Sequence, residues 1–218
     1  MSKIVSEAML KEYLKIDNLQ SVTELDMVVN TTEQSLNALV RFLPNLQFLN
    51  LSNSTIEISD IPAFEKLQTL MLKNCQIQSL EGLFNFLNLK KLILSNNQIS
   101  QLDSLLDLSL EELDLSYNKI SNQSELNYIT HMTELKSIVL IGNPLDYKSF
   151  IEQKFPEIEI DRADYALDIR ANELENTQSI NGGDELKKTN QRKSIYLVGA
   201  KDLYCSPYSI LKHKQSFK

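Results

Sequence analysis

Residues 90–99 read KKLILSNNQI. Leu92 and Leu94 lie two apart, a strand signal, because successive side chains in a strand point to opposite faces. Asn97 and Ile99 follow in a fixed frame, and that frame recurs. EELDLSYNKI carries Leu113, Leu115, Asn118 and Ile120; QTLMLKNCQI carries Leu70, Leu72, Cys75 and Ile77. QFLNLSNSTI carries Leu49, Leu51, Ser54 and Ile56, and KSIVLIGNPL carries Ile138, Leu140, Asn143 and Leu145. A weaker copy, TELDMVVNTT, places Leu25, Met27 and Asn30. The first strand leucines, with Ile138 in the last copy, are spaced by 24, 21, 22, 21 and 25 residues. Copies at this period are an internal repeat of the leucine-rich kind.

Each copy also has an apolar residue three places before its first strand position: Val22, Leu46, Leu67, Leu89, Leu110 and Leu135. Stacking turns these positions into columns that form one continuous core, each buried side chain worth roughly 1.5–3 kcal/mol. The asparagine sits where the chain turns out of the strand and backbone groups lose their sheet partners. Its amide offers both a donor and an acceptor for them. Cys75 and Ser54 hold the same slot as small buried residues. Return segments such as Leu102, Leu105 and Leu108 keep a three-residue spacing that suits 3₁₀ or short helical turns. The longest interval has room for a true helix around SELNYITHM. The expected fold is an α/β solenoid, curved, with a parallel sheet on its concave face.

The ends follow from the need to cover a solenoid's terminal core. Ile4, Val5, Ala8, Met9 and Leu14 suggest a short amphipathic N-terminal capping helix within residues 1–20, with Ser2 or Ser6 as its cap. At the other end, Tyr147, Phe150, Phe155-Pro156, Ile158 and Ile160 suggest a C-terminal cap, closing a repeat domain at 21–164. Residues 165–218 change composition. ANELENTQSINGGDELKKTNQRK reads as a linker, and SIYLVGAKDLYCSPYSIL restores apolar and aromatic residues. Tyr196, Leu197, Tyr204 and Tyr208 in that island are candidates for docking on a partner, or for folding back on the solenoid.

Net charge is −7, but it divides unevenly: −10 over residues 1–170 and +3 over 171–218. An acidic body lacks the basic footprint of direct nucleic-acid binding. No apolar run approaches the ~20 residues of a membrane helix, and MSKIVSEAMLKEYLK lacks a signal-peptide core. Two cysteines make no disulfide framework, so a reducing, cytoplasmic setting is expected. The two histidines, His131 and His213, lie in different segments, and only five glycines are present, with no phosphate loop. Asp26 and Asp114 fall too many repeats apart for paired acid–base work. No catalytic, cofactor or metal constellation can be assembled, so a non-enzymatic binding protein is expected.

Residues 20–164 resemble the short-repeat intracellular leucine-rich-repeat class. That class includes a regulatory subunit of type-one protein phosphatase, an axonemal dynein light chain and a spliceosomal ribonucleoprotein subunit. Within residues 10–56, Leu25-Asp26-Met27, Asn30-Thr31-Thr32-Glu33, Ser35-Leu36 and Leu43-Pro44-Asn45-Leu46 narrow the likeness. They resemble the family of leucine-rich-repeat-containing protein fifty-six, whose members usually extend much further at the C-terminus. The resemblance implies a ciliary or axonemal scaffold tied to outer dynein arm assembly or to ciliary transport; axonemal dynein or ciliary transport components are the expected partners, and the chain alone is expected to be monomeric. Two other readings stay open. One is a regulatory subunit that docks a phosphatase or another enzyme on its concave face. The other is a ribonucleoprotein scaffold that binds protein rather than RNA.

By alternation, residues flanking the buried leucines face the concave side. Phe48, Met71 and Ile93 are expected side by side across neighbouring strands as an exposed apolar strip. Asn50 and Val139 share that face, and Lys73, Lys91, Glu112 and Asp114 would form a charged rim that orients a partner.

Overall fold

The computed structural model describes residues 3–161 and 194–196. Along the chain come β1 (Lys3–Ile4), α1 (Glu7–Leu14), β2 (Glu24–Val28), β3 (Gln34–Ser35), α2 (Leu39–Phe42) and β4 (Phe48–Asn50). Then follow β5 (Thr69–Met71), β6 (Lys91–Ile93), β7 (Glu112–Asp114), β8 (Ser137–Val139), α3 (Lys148–Lys154), β9 (Glu159–Ile160) and β10 (Ser194–Tyr196). One parallel sheet of eight strands runs in the order β10-β2-β4-β5-β6-β7-β8-β9. β1 and β3 form a separate parallel pair.

Register aligns Leu25, Leu49, Leu70, Leu92, Leu113 and Ile138 in one row across the sheet. All six are at most 2% exposed, so the row is the spine of the core. Val22, Leu46, Leu67, Leu89, Leu110 and Leu135 are buried as well. The chain returns through 3₁₀ turns at Ile58–Asp60, Leu83–Asn85, Asp103–Leu105 and Gln123–Ile129. The expected helix around SELNYITHM is such a 3₁₀ run. Leu126, Ile129 and Met132 are all buried, and three residues per turn keeps that spacing on one face.

The strand exits show why asparagines recur. Asn53, Asn74, Asn96, Tyr117 and Gly142 each sit four residues after the first strand position, and each has a left-handed φ between 53° and 80°. Asparagine and glycine tolerate that conformation better than other residues. The residue that follows them in three repeats stitches the turns together. Asn97 Nδ2 donates to Leu72 O (2.7 Å) and Leu94 O (2.9 Å), while its Oδ1 accepts from the N–H groups of Cys75 (3.0 Å) and Ile77 (3.1 Å). Asn118 repeats this with Leu94 O, Leu115 O and the Ile99 N–H, and Asn143 with Leu115 O, Leu140 O and the Ile120 N–H. Ser54 Oγ accepts from the Val29 N–H at 3.0 Å, and Cys75 Sγ donates to Leu51 O at 3.2 Å. Each ladder residue serves the repeat before its own. Asn30 has no earlier repeat to serve, and its Oδ1 accepts locally from Thr32.

At the N-terminus, α1 starts at Ser6, whose Oγ accepts from the Met9 N–H at 3.3 Å. It stops at Lys15, whose φ of 53° is left-handed. Leu10 and Leu14 enter the core with Val5, but the expected stripe is wrong in detail. Ala8 and Met9 are exposed, and Ile4 belongs to β1. At the other end, Tyr147 and Ile151 are buried, and Phe150, Phe155, Ile158 and Ile160 pack partly buried against the core. Asp161 supplies the acceptor that a carbonyl of the next repeat gives Leu94 and Leu115: its Oδ1 accepts from the N–H groups of Leu140 (2.9 Å) and Ile141 (3.1 Å). Its Oδ2 accepts from the Tyr147 hydroxyl; burial first, and then that bond, raises the pKa of the tyrosine.

Candidate functional site

Two rows of side chains face the concave side. One runs Asp26, Asn50, Met71, Ile93, Asp114, Val139; the other runs Glu24, Phe48, Thr69, Lys91, Glu112, Ser137, Glu159. Phe48 is therefore not beside Met71 and Ile93. It precedes its strand leucine while Met71 follows its own, so aligned leucines set Phe48 against Thr69 and Asn50 against Met71.

Exposure divides the face. Phe48, Asn50, Met71, Lys73, Lys91 and Glu112 are half-buried, whereas Ile93 (5%), Asp114 (2%) and Val139 (3%) are buried. The expected strip thus shrinks to its β4–β5 part, and Asp114 is no rim charge. Its Oδ1 accepts from the Ser116 N–H at 2.9 Å, as Asn50 Oδ1 accepts from the Ser52 N–H at 3.0 Å. Asn50 Nδ2 also donates to Asp26 Oδ2 at 3.1 Å. The hydroxyls of Ser95 and Ser116, two residues past β6 and β7, and of Ser137 on β8 are buried without a hydrogen-bond partner among the described residues.

The charges are mutually paired. Lys91 meets Glu112 at 2.6 Å, and Glu111 bridges Lys90 (2.9 Å) and Lys136 (2.6 Å) at the entrance to β6–β8. Hydrogen bonds from Lys136 and Lys90 hold the Glu111 carboxyl down to about 2 and raise the Lys136 ammonium. Lys73 donates its backbone N–H to Ser52 Oγ at 3.1 Å, linking β5 to β4.

Two apolar surfaces escaped the sequence reading. Phe84 (59%), Leu87 (67%) and Leu106 (52%) are exposed on adjacent return turns. Their signal was available, since Phe84 and Leu87 directly follow the inward Leu83 and Phe86 and break the three-residue spacing. Met9, Tyr13 and Ile16 are exposed along α1 and its exit. Of the proposed tail contacts, Tyr196 ends β10, whereas Leu197, Tyr204 and Tyr208 lie outside the described residues. Among the described residues, no group of three or more His, Cys, Asp or Glu side chains is placed to hold a metal ion. Nor is any helix there long and apolar enough to cross a membrane. His131 Nε2 lies 3.2 Å from Leu108 O.

Comparison with known proteins agrees with the repeat. A model of paired leucine-rich repeats matches residues 65–107, and a single-repeat model matches 45–67 and 109–131. Leucine-rich repeat-containing protein 56 of Rattus norvegicus is 36% identical over 142 residues, 64% of this chain and 26% of that protein. Its Homo sapiens counterpart is 34% identical over 146 residues, 66% of this chain and 27% of that protein. This chain thus spans about a quarter of the length of these relatives. The crystal structure of internalin C2 from Listeria monocytogenes superposes with a TM-score of 0.53 at 16% identity. It covers 70% of this chain and 88% of that one, a likeness of fold. Repeat frame, aligned leucine spine and these matches together make the chain a leucine-rich-repeat solenoid, similar across its repeat body to leucine-rich repeat-containing protein 56.

Proposed function

We propose that the chain is a non-catalytic protein-binding scaffold of the cilium, engaged in the assembly or transport of outer dynein arms. Leucine-rich repeats mediate protein–protein contacts, and the ciliary assignment rests on the likeness to leucine-rich repeat-containing protein 56. The observation that carries the binding role is the division of the concave face. Phe48, Asn50 and Met71 on β4 and β5, with Lys73 just after β5, present a half-exposed apolar and polar surface, while Ile93, Asp114 and Val139 on β6–β8 are buried. A partner gains most where apolar side chains remain available to be desolvated.

A Phe48→Glu/Met71→Glu chain tests this, because both side chains already reach solvent and the body should keep its melting temperature. Tagged wild-type chain expressed in ciliated cells should enter the cilium and co-purify with axonemal dynein or ciliary transport components, and the variant should lose them. Exclusion of the wild type from cilia sinks the ciliary assignment. Equal recovery by the variant moves the binding surface off β4–β5.

A further inference from the structure

We propose that the outer edge of β2 is a strand-binding site, which the chain closes in cis with its own segment Ser194–Tyr196. This is independent of the concave-face reading. β10 pairs in parallel with β2, setting Ser194 against Asp26, Ile195 against Met27 and Tyr196 against Val28. β4 pairs with the other half of β2, at Glu24, Leu25 and Asp26. Five residues long, β2 exceeds every other strand of the sheet, and two offset partners account for its length. An open edge of that length is a template for pairing with other chains. The opposite end of the sheet solves the same problem differently: β9 has two residues, and the Asp161 carboxylate takes the Leu140 and Ile141 N–H groups.

The sequence between the two ends is of the right length for closure in cis. Residues 162–193 separate Asp161 from Ser194, 32 positions in all. From β9 to β10 is seven strand spacings, at most about 34 Å. Thirty-two residues can span at most roughly 110 Å, so the connection is long enough to bring the chain's own segment to the β2 edge. Three residues make few ladder bonds, and ordering them offsets much of that gain. The edge therefore opens readily, and a partner offering a longer parallel strand can exchange with the tail.

Hydrogen exchange read on the peptide covering Glu24–Val29 tests this in the full-length chain. Ile195→Pro removes an N–H from the tail strand and leaves every residue of the repeat body unchanged. The expected result is exchange in that peptide faster by about tenfold or more, with the melting temperature kept. A synthetic peptide of residues 190–200 should bind the Ile195→Pro chain at least about tenfold more tightly than the wild type, whose edge is occupied. Unchanged protection in Ile195→Pro, or equal peptide affinity for both chains, overturns the site. Protection of the wild type that fades on dilution from about 50 to about 0.5 µM shows that a second copy supplies the strand and overturns closure in cis.

Discussion

Asn96 and Asn97 are adjacent and chemically identical, yet they do different work. Asn96 bends the backbone at a φ of 56° and is half-buried, whereas Asn97 is buried and its side chain bonds five backbone groups. Asn97→Ala strands buried carbonyls and N–H groups in two repeats and should destabilise the body by roughly 2–5 kcal/mol. Asn96→Gly keeps the left-handed turn and should stay within about 1 kcal/mol of wild type. Denaturant melts of the two variants decide; equal losses would refute the division of labour. Cys75 adds a pH signature, since burial pushes its thiol up from 9.0 to about 11. The folded state holds that proton more tightly than the unfolded state. The contribution is therefore whole below pH 9 and disappears as pH rises toward 11. The wild type should lose about 2–3 kcal/mol more than Cys75→Ala across that window, read from melts at stepped pH.

Among the elements, the entrances to β6, β7 and β8 are tied by Lys90, Glu111 and Lys136, one from each repeat. A single carboxylate thus meets two ammonium groups because residues 21 and 25 apart lie on neighbouring strands. Its folded pKa is depressed from 4.5 to about 2, so its contribution is present above pH 4.5 and is lost as pH falls through about 2. Glu111→Gln should flatten the acid limb of the melting temperature between those values, and added salt should do the same, because the triad is solvent-exposed. An acid limb identical in Glu111→Gln and wild type would show that the triad contributes nothing.

For the whole molecule, Ile93, Asp114 and Val139 are buried on β6–β8, and the Tyr147 hydroxyl bonds Asp161 beside the last described strand of the repeat body. We propose that a chain ending at Asp168 folds cooperatively, with a melting temperature close to that of the full chain. Among the described residues, the tail strand β10 pairs with β2. A molten or aggregated product would place residues beyond 168 in the core. Binding lost from a well-folded truncation would assign partner contact to the tail.

The amino-acid sequence alone determined the period, the leucine spine and the asparagine slot. Each is a local choice repeated in register, and stacking copies a local pattern into a global one. It also pointed to the concave rows, through alternation. What it left open depends on neighbours that a one-dimensional pattern does not specify. The offset that moved Phe48 away from Met71 comes from which flank of the leucine each residue occupies once strands pair. The burial of Ile93, Asp114 and Val139, on a face expected to be exposed, comes from packing across β6–β8. Asp161 looked like one more acidic residue until Leu140, Ile141 and Tyr147 converged on it at the end of the described repeat body. The pairing of Ser194–Tyr196 with β2 joins residues about 170 positions apart, a contact decided by an open sheet edge and a chain long enough to reach it.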